Sequence, residues 1–471
     1  MGNVLAHSAG NEHKVPSQQA TSSPDRLPEL CKRPLPTMTA GFLPPPLAGI
    51  RILDLSTVYS GPMAAALLAD QGADVIKVES PGGDICRRIG PAKGDISATF
   101  IAMNRGKRSI VIDLKSEPGK ALLRDLIART DVLMENFRPG VMAKFGFDCA
   151  TLQQLNPRMI YLSITGFGQD GPYTEARVYD AVVQAVSGMC ASHLEKPGGE
   201  PGLVATTICD KLTAMTAAQA VTSALFARAR DGHGRVVKIS MLDSTLAFNW
   251  PDAMYNHVWL DDPPPNWPEV GGTLRPYKTR DGYLATMTPQ QEEFAALCRG
   301  LGAPEMAQDP RFSSVQARSR YPKEIRAMLE ALFAKHTTDD LVSRLHAADA
   351  PVGKVNLKSQ VIDDPQVVHN RALVEIDHGP LGRVRVARAA ALFENSNPPA
   401  PRPAPHLGEH SEQVLRELGY DEAHIAALKQ AGAVAGSAGT ATASSPVPPT
   451  PNPSITIRVS NPASAAPTVS E

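Results

Sequence analysis

The chain lacks an excess of charge of either sign, a cysteine pattern and any long apolar run, and each shortage removes a class of function. Its 471 residues hold 47 Lys+Arg against 48 Asp+Glu, a formal net charge of -1. That balance gives no global pull toward nucleic acid or an anionic membrane, so neither is expected as a partner. No stretch approaches the ~18 uninterrupted apolar residues that a membrane helix needs. The amino-terminal segment has neither an apolar signal core nor an Arg-rich transit pattern. Ala6 stands where a myristoylation motif after Gly2 wants Ser or Thr. A soluble, cytoplasmic protein is expected. The six cysteines (Cys31, Cys86, Cys149, Cys190, Cys209 and Cys298) form no C-x-x-C pair, which argues for reduced thiols rather than a disulfide framework or a zinc knuckle. No H-E-x-x-H occurs, and no metal site is expected. A P-loop is missing too, since Gly106-Lys107-Arg108 lacks the upstream glycine and the Ser/Thr, so no ATP site is available to drive a reaction.

Apolar residues make up 42% of the chain and charged residues 20%, enough for a sizeable core in two or three domains. Proline is uneven: 8 of 42 fall in residues 1–46 and 12 in residues 398–471. Beyond Gly432 the only charged residues are Arg458 and Glu471. Segments 1–43 and 431–471 are therefore expected to be disordered. The ordered part opens with a strand over residues 50–55, a Gly61-Pro62 turn, a short helix over 63–70 and a second strand over 73–79. So short a crossover implies a parallel, doubly wound sheet. Further strands are expected at 109–114, 132–135, 160–165 and 236–240, with helices at 119–129, around Leu152, and from Asp210 to about Arg230. The reading is α/β. Residues 44–250 form the first part of a large Rossmann-like domain and 251–350 a linker with a small α+β domain. Residues 351–430 return to the large domain, with strand-like sequence at 373–393.

Few segments carry chemistry. Gly166-Phe167-Gly168-Gln169-Asp170-Gly171 is a literal G-x-G-x-x-G, but Pro172 follows it instead of a helix, so a flexible loop is expected and nicotinamide binding is not. Two basic stretches, 104–109 and 135–140 with Lys144, suit either a phosphorylated ligand or a solvated rim. Asp210 sits among small residues at the mouth of the Ala-rich helix. It fits an N-cap, and it equally fits a covalent nucleophile whose charge a helix N-terminus holds. Tyr179-Asp180 suits a cap or a core tyrosine; Asp243 is expected to be structural, and His193 and His233 to lie on the surface.

Taken in order, several segments resemble the class III coenzyme A transferases, the formyl-CoA transferase and carnitine CoA-transferase (CaiB/BaiF-like) family. They are residues 46–56, 72–79, 135–140, 164–168 with 171–173, Tyr179-Asp180, and 408–410 with 415–419. The resemblance runs from about Pro46 to about Leu428. It implies a Rossmann-like large domain, a small α+β domain and two chains interlocked as a homodimer. It places the catalytic aspartate at Asp210 and the CoA contacts at Val58, Tyr59, Ser60, Ile112, Asp113, Leu114, Lys115, Asn136, Phe137, Lys144 and Arg177. The implied reaction moves CoA from an acyl-CoA donor to a small carboxylic acid through an aspartyl-CoA thioester, with CoA as substrate and no tightly bound cofactor. Three positions depart from the family's pattern. Ser80 replaces a nucleotide-facing arginine, the Gly-rich loop shrinks to Gly271-Gly272, and Tyr179 stands where the related α-methylacyl-CoA racemases place a histidine. Alternatives are a racemase-like enzyme, which that tyrosine disfavours, and a non-catalytic acyl-CoA-binding paralogue.

Overall fold

A computed structural model describes residues 43–193, 199–267, 275–399 and 402–435. The terminal stretches 1–42 and 436–471, read above as disordered, and the Gly271-Gly272 loop lie outside the described residues.

Six apolar runs make the central sheet: β1 (Arg51–Asp54), β2 (Asp74–Glu79), β3 (Arg108–Ile112), β4 (Val132–Glu135), β5 (Ile160–Thr165) and β6 (Arg235–Ser240). These six pair in parallel. Strands covered on both faces read as near-continuous apolar sequence, which is why β1 to β5 are legible. A seventh strand, β7 (Val434–Ala435), joins β3 antiparallel, giving the order β7-β3-β2-β1-β4-β5-β6.

Side chains alternate between two cores, as the period of two requires. Leu53, Ile76, Ile110 and Leu133 meet Leu122, Leu126 and Ile127 of the helix Glu117–Ala128 and Val414, Leu415 and Ile425 of the C-terminal helices. Each such Leu or Ile contributes roughly 1.5–3 kcal/mol when fully buried. The helix starts at 117 because Ser116 caps it, its Oγ accepting from the Gly119 N–H at 3.1 Å, with Pro118 in the first turn where no donor is missed. On the opposite face, Ile52, Val75 and Ile160 meet two helices of small residues, α1 (Ser60–Ala69) and the long α3 (Ile208–Asp231). Between them in sequence comes α2 (Asp180–Val186), and α4 (Met241–Ala253) follows β6.

Several expectations are corrected. Gly61-Pro62 is the first turn of α1 and not a separate turn, since a proline there lacks only an amide that would be unpaired anyway. The segment from Pro251 opens as the end of α4. The strand-like stretch after 373 is an isolated hairpin, Leu373–Asp377 with Arg383–Ala387, and does not enter the main sheet. The returning chain instead supplies the helices Ser411–Glu417 and Glu422–Gln430, and then β7, so residues 431–435 are ordered. The smaller unit has its own core, in which Leu284, Phe294, Leu297, Phe333, Leu341 and Leu345 pack beside a three-stranded sheet.

Candidate active site

Strand order reverses direction between β1 and β4, and ligands of open parallel sheets sit beyond the carboxyl ends at such a point. There the loops after β1 (Thr57–Ser60), β4 (Asn136–Pro139) and β5 (Thr165–Gly168) enclose a cavity of about 150 Å³, closed by Tyr173, Tyr179, Met241 and Asp210.

Asp210 is the third residue of α3. It is therefore not the N-cap; that position is Thr207, whose side chain caps nothing. The capping comes from another helix: the Asp210 N–H donates to Oδ1 of the buried Asp180 at 2.9 Å. Gln184 Nε2 donates to the other Asp180 oxygen at 2.6 Å. The Val204 N–H donates to Gln184 Oε1 at 2.8 Å, which fixes the amide's orientation. Both Asp180 oxygens thus accept N–H groups.

The Asp210 carboxyl lines the cavity together with Ser60, the first residue of α1, whose backbone N–H favours its ionised form. Burial, and then the neighbouring Asp180 charge, push its pKa up to about 7, against the smaller pull of the Ser60 N–H and Lys211. Two helix N-termini therefore converge on one half-neutralised carboxyl. α1 reaches it because its Ala64 and Ala65 lie close on Ala214 and Ala217 of α3. Gly61 lets the first turn of α1 close on the loop after β1: a Cβ there would stand 2.2 Å from that of Ser56. The loop between β1 and α1 is further tied by Asn136, whose carboxamide accepts from the Thr57 N–H at 2.8 Å and donates to its C=O at 2.7 Å.

Val58, Tyr59, Ser60, Asn136, Phe137 and Asp210 are thus brought together on one cavity. The other residues named from the sequence stand outside its wall. Ile112 is buried in the core and Leu114 packs against it. Asp113 Oδ1 accepts from the Lys115 N–H at 2.9 Å, and Lys115, Lys144 and Arg177 are exposed. Arg177 lies between two wall residues, Ala176 and Val178.

The first basic stretch lies away from this cavity, and its Lys107 belongs to no solvated rim. Lys107 is fully buried, donating to Asp54 Oδ2, Asn104 Oδ1 and the Pro62 carbonyl at 2.8 Å each. Burial pushes its pKa down to about 8, more than Asp54 can offset. Arg105 pairs with Asp70, and Arg108 with Asp74 and Glu417. Arg105 and Lys107 precede β3 and Arg108 opens it, at the amino edge of the sheet, whereas the cavity around Asp210 opens at the carboxyl edge.

The G-x-G-x-x-G segment is a cavity wall and no helix follows it. A Cβ on Gly166 would fall 2.3 Å from Val178 Cγ1, so glycine lets the 171–178 loop close down. Tyr179 is neither a side-chain cap nor a core residue; it is 69% exposed and lines the opening. Asp243 lies exposed in the first turn of α4, its N–H donating to the Ser240 cap at 2.9 Å, and His233 is exposed. His193 ends a short 3₁₀ turn. Sequence reasoning left out Arg138, Thr165 and Phe167, although each stands inside a segment already singled out. It also left out Met241 and Gln184, for which no local signal exists; Asp180 stands in a segment singled out with Tyr179, but nothing local points to its bond with the Asp210 amide.

Among the described residues, no helix is long and apolar enough to cross a membrane, and no group of three or more His, Cys, Asp or Glu could hold a metal ion. Residues 47–411 match the family model described as CoA-transferase family III. A succinate–glutarate CoA-transferase from Agrobacterium fabrum is 37% identical over 385 residues, 79% of this chain and 96% of that protein. An acetyl-CoA:oxalate CoA-transferase from Acetobacter aceti is 35% identical over 395 residues, 80% of this chain and 97% of that one. The crystal structure of a CAIB/BAIF family protein from Brucella suis superposes with a TM-score of 0.69 at 33% identity, covering 80% of this chain and all of the other. A doubly wound sheet, a cavity at its switch point and a match along most of the described chain converge: the protein is an enzyme belonging to CoA-transferase family III.

Proposed function

We propose that the enzyme carries CoA from an acyl-CoA to a small carboxylic acid through covalent intermediates on Asp210. The observation that carries this reading is a buried carboxyl on the cavity floor, held between two helix N-termini at a pKa of about 7. Desolvation and the Asp180 charge make it more basic, hence more nucleophilic, than a solvated aspartate. The Asp210 oxygen attacks the donor thioester carbonyl, and the CoA thiolate leaves, giving a mixed anhydride. The thiolate then attacks the aspartyl carbonyl and the donor acid departs as a carboxylate, leaving an aspartyl-CoA thioester. An acceptor carboxylate attacks that thioester and releases the thiolate. The thiolate takes the acceptor's acyl carbon, and Asp210 is regenerated. One thioester replaces another, so no nucleotide hydrolysis is needed.

A cavity of about 150 Å³ has room for an acyl group the size of a small organic molecule, not for whole CoA. Relatives named for succinate, glutarate and oxalate support small carboxylates as substrates. The loop residues Val58, Tyr59, Ser60, Asn136 and Phe137 would hold the thioester end of CoA. Asp113, Leu114, Lys115, Lys144 and Arg177 would take its nucleotide end, while the buried Ile112 would not. Incubation with a panel of acyl-CoAs, a hydroxylamine quench and peptide mass spectrometry should yield a hydroxamate at Asp210; no modification across the panel would remove the mechanism.

The working unit is proposed to be a homodimer. Met215 and Phe226 on α3 are 60% and 67% exposed, and Phe248, Trp259 and Leu260 are 53%, 63% and 89% exposed, more apolar surface than a monomer ordinarily leaves open. Light scattering should give twice the 50.2 kDa chain mass; the single-chain mass at working concentration would defeat the proposal.

A further inference from the structure

Val58 has φ 70°, a left-handed backbone in a β-branched residue, which marks real strain. Something must hold it, and both of its peptide groups are held. Its N–H donates to Asp84 Oδ1 at 3.2 Å, and its C=O accepts from the Cys86 thiol at 3.1 Å. Asp84 Oδ1 also accepts from the Cys86 N–H at 2.9 Å, so one carboxylate fixes both ends of this clamp. Asp84 Oδ2 pairs with Lys77 Nζ at 2.9 Å, both side chains fully buried, and Lys77 donates in turn to the Ser56 C=O at 2.9 Å. Burial alone would lower the Lys77 pKa, but Asp54, Asp84 and Glu79 together raise it, so the lysine stays charged within the core. Buried ion pairs are poor devices for stability, and their retention points to a demand for one geometry.

That geometry lies two residues further on. Val58 turns the chain so that Tyr59 and Ser60 begin α1 on the wall of the cavity that Asp210 shares, with the Ser60 N–H at the helix mouth. We propose that Asp84, braced by Lys77, is a positioning residue: it locks Val58 in the left-handed conformation and thereby presents the Ser60 N–H to the nucleophile. The proposal rests on the assignment of Asp210 as nucleophile. Donation from Ser60 favours the ionised form of Asp210, so releasing the clamp raises the pH at which the nucleophile ionises.

The test is the pH dependence of kcat/KM in Asp84→Ala and in the paired Lys77→Met/Asp84→Leu variant, which leaves no unpaired charge in the core. The acid limb should move to higher pH, and kcat should fall roughly tenfold or more, as expected for one lost hydrogen bond to a charged group. Adding Val58→Gly to the paired variant should move the acid limb back, because glycine takes φ near 70° without a clamp. An acid limb unchanged from wild type in the slowed variants would show a merely structural role and overturn the proposal. A shifted limb that glycine fails to move back would overturn it equally. Hydroxylamine trapping on the wild-type enzyme keeps the two claims apart: no label at Asp210 removes the nucleophile itself, whereas a label with an unmoved limb removes only the role of Asp84.

Discussion

At the scale of single residues, the site stores instability. The Asp210 carboxyl titrates near 7 in the fold against an ordinary 3.8. A carboxyl raised in this way holds its proton more tightly when folded. It costs nothing below the ordinary value, and it destabilises the fold progressively as pH rises from about 4 to about 7. The penalty above pH 7 is about 4 kcal/mol at most. Asp210→Asn keeps the shape without the charge, so its melting temperature should exceed that of wild type near pH 8 and converge with it near pH 4. A gap that does not change with pH would contradict the assignment. Asp210 was legible because small residues at a helix mouth are a local signal that the family resemblance sharpened. Its tie to Asp180 and Gln184 was not, since the bond from the Asp210 amide to Asp180 spans 30 positions. Lys107 misled for a related reason: a lysine in a basic run looks solvated until Asp54, 53 residues earlier, is seen beside it.

At the scale of elements, what could be read was whatever burial on both faces imposes on composition. β4 and β5 match the expected spans residue for residue, and the other four parallel strands differ by a residue or two at their ends. The long helix begins two residues before Asp210, which decides a chemical question, because a third-position aspartate is free of capping duty. Sequence could not show which edge of the sheet a basic run would face. Arg105 and Lys107 come before their strand, Arg108 opens it and Arg138 follows its own, and of these only Arg138 lines the cavity. Short elements stabilised by distant partners escaped notice altogether: β7 has two residues and exists through its pairing with β3.

At the scale of the molecule, the doubly wound order makes the cavity a meeting of loops from β1, β4 and β5, with both helix N-termini supplied by one face of the sheet. The α/β class was readable from alternating apolar runs and helices; the path of residues 402–435 was not, because its contacts with the sheet are made across 300 positions or more. One consequence concerns β7. Val434 and Ala435 lie against Ile112 and Val111, running opposite to the rest, and Ser411 Oγ donates to the Ala435 C=O at 2.8 Å. An uncovered edge strand is a template on which other chains aggregate. The two residues therefore serve as a stopper on β3, protecting colloidal solubility at a place remote from catalysis. A chain ending at Gly432 should form scattering aggregates at unchanged helical content; if it stays monodisperse, the edge is safe without its cover.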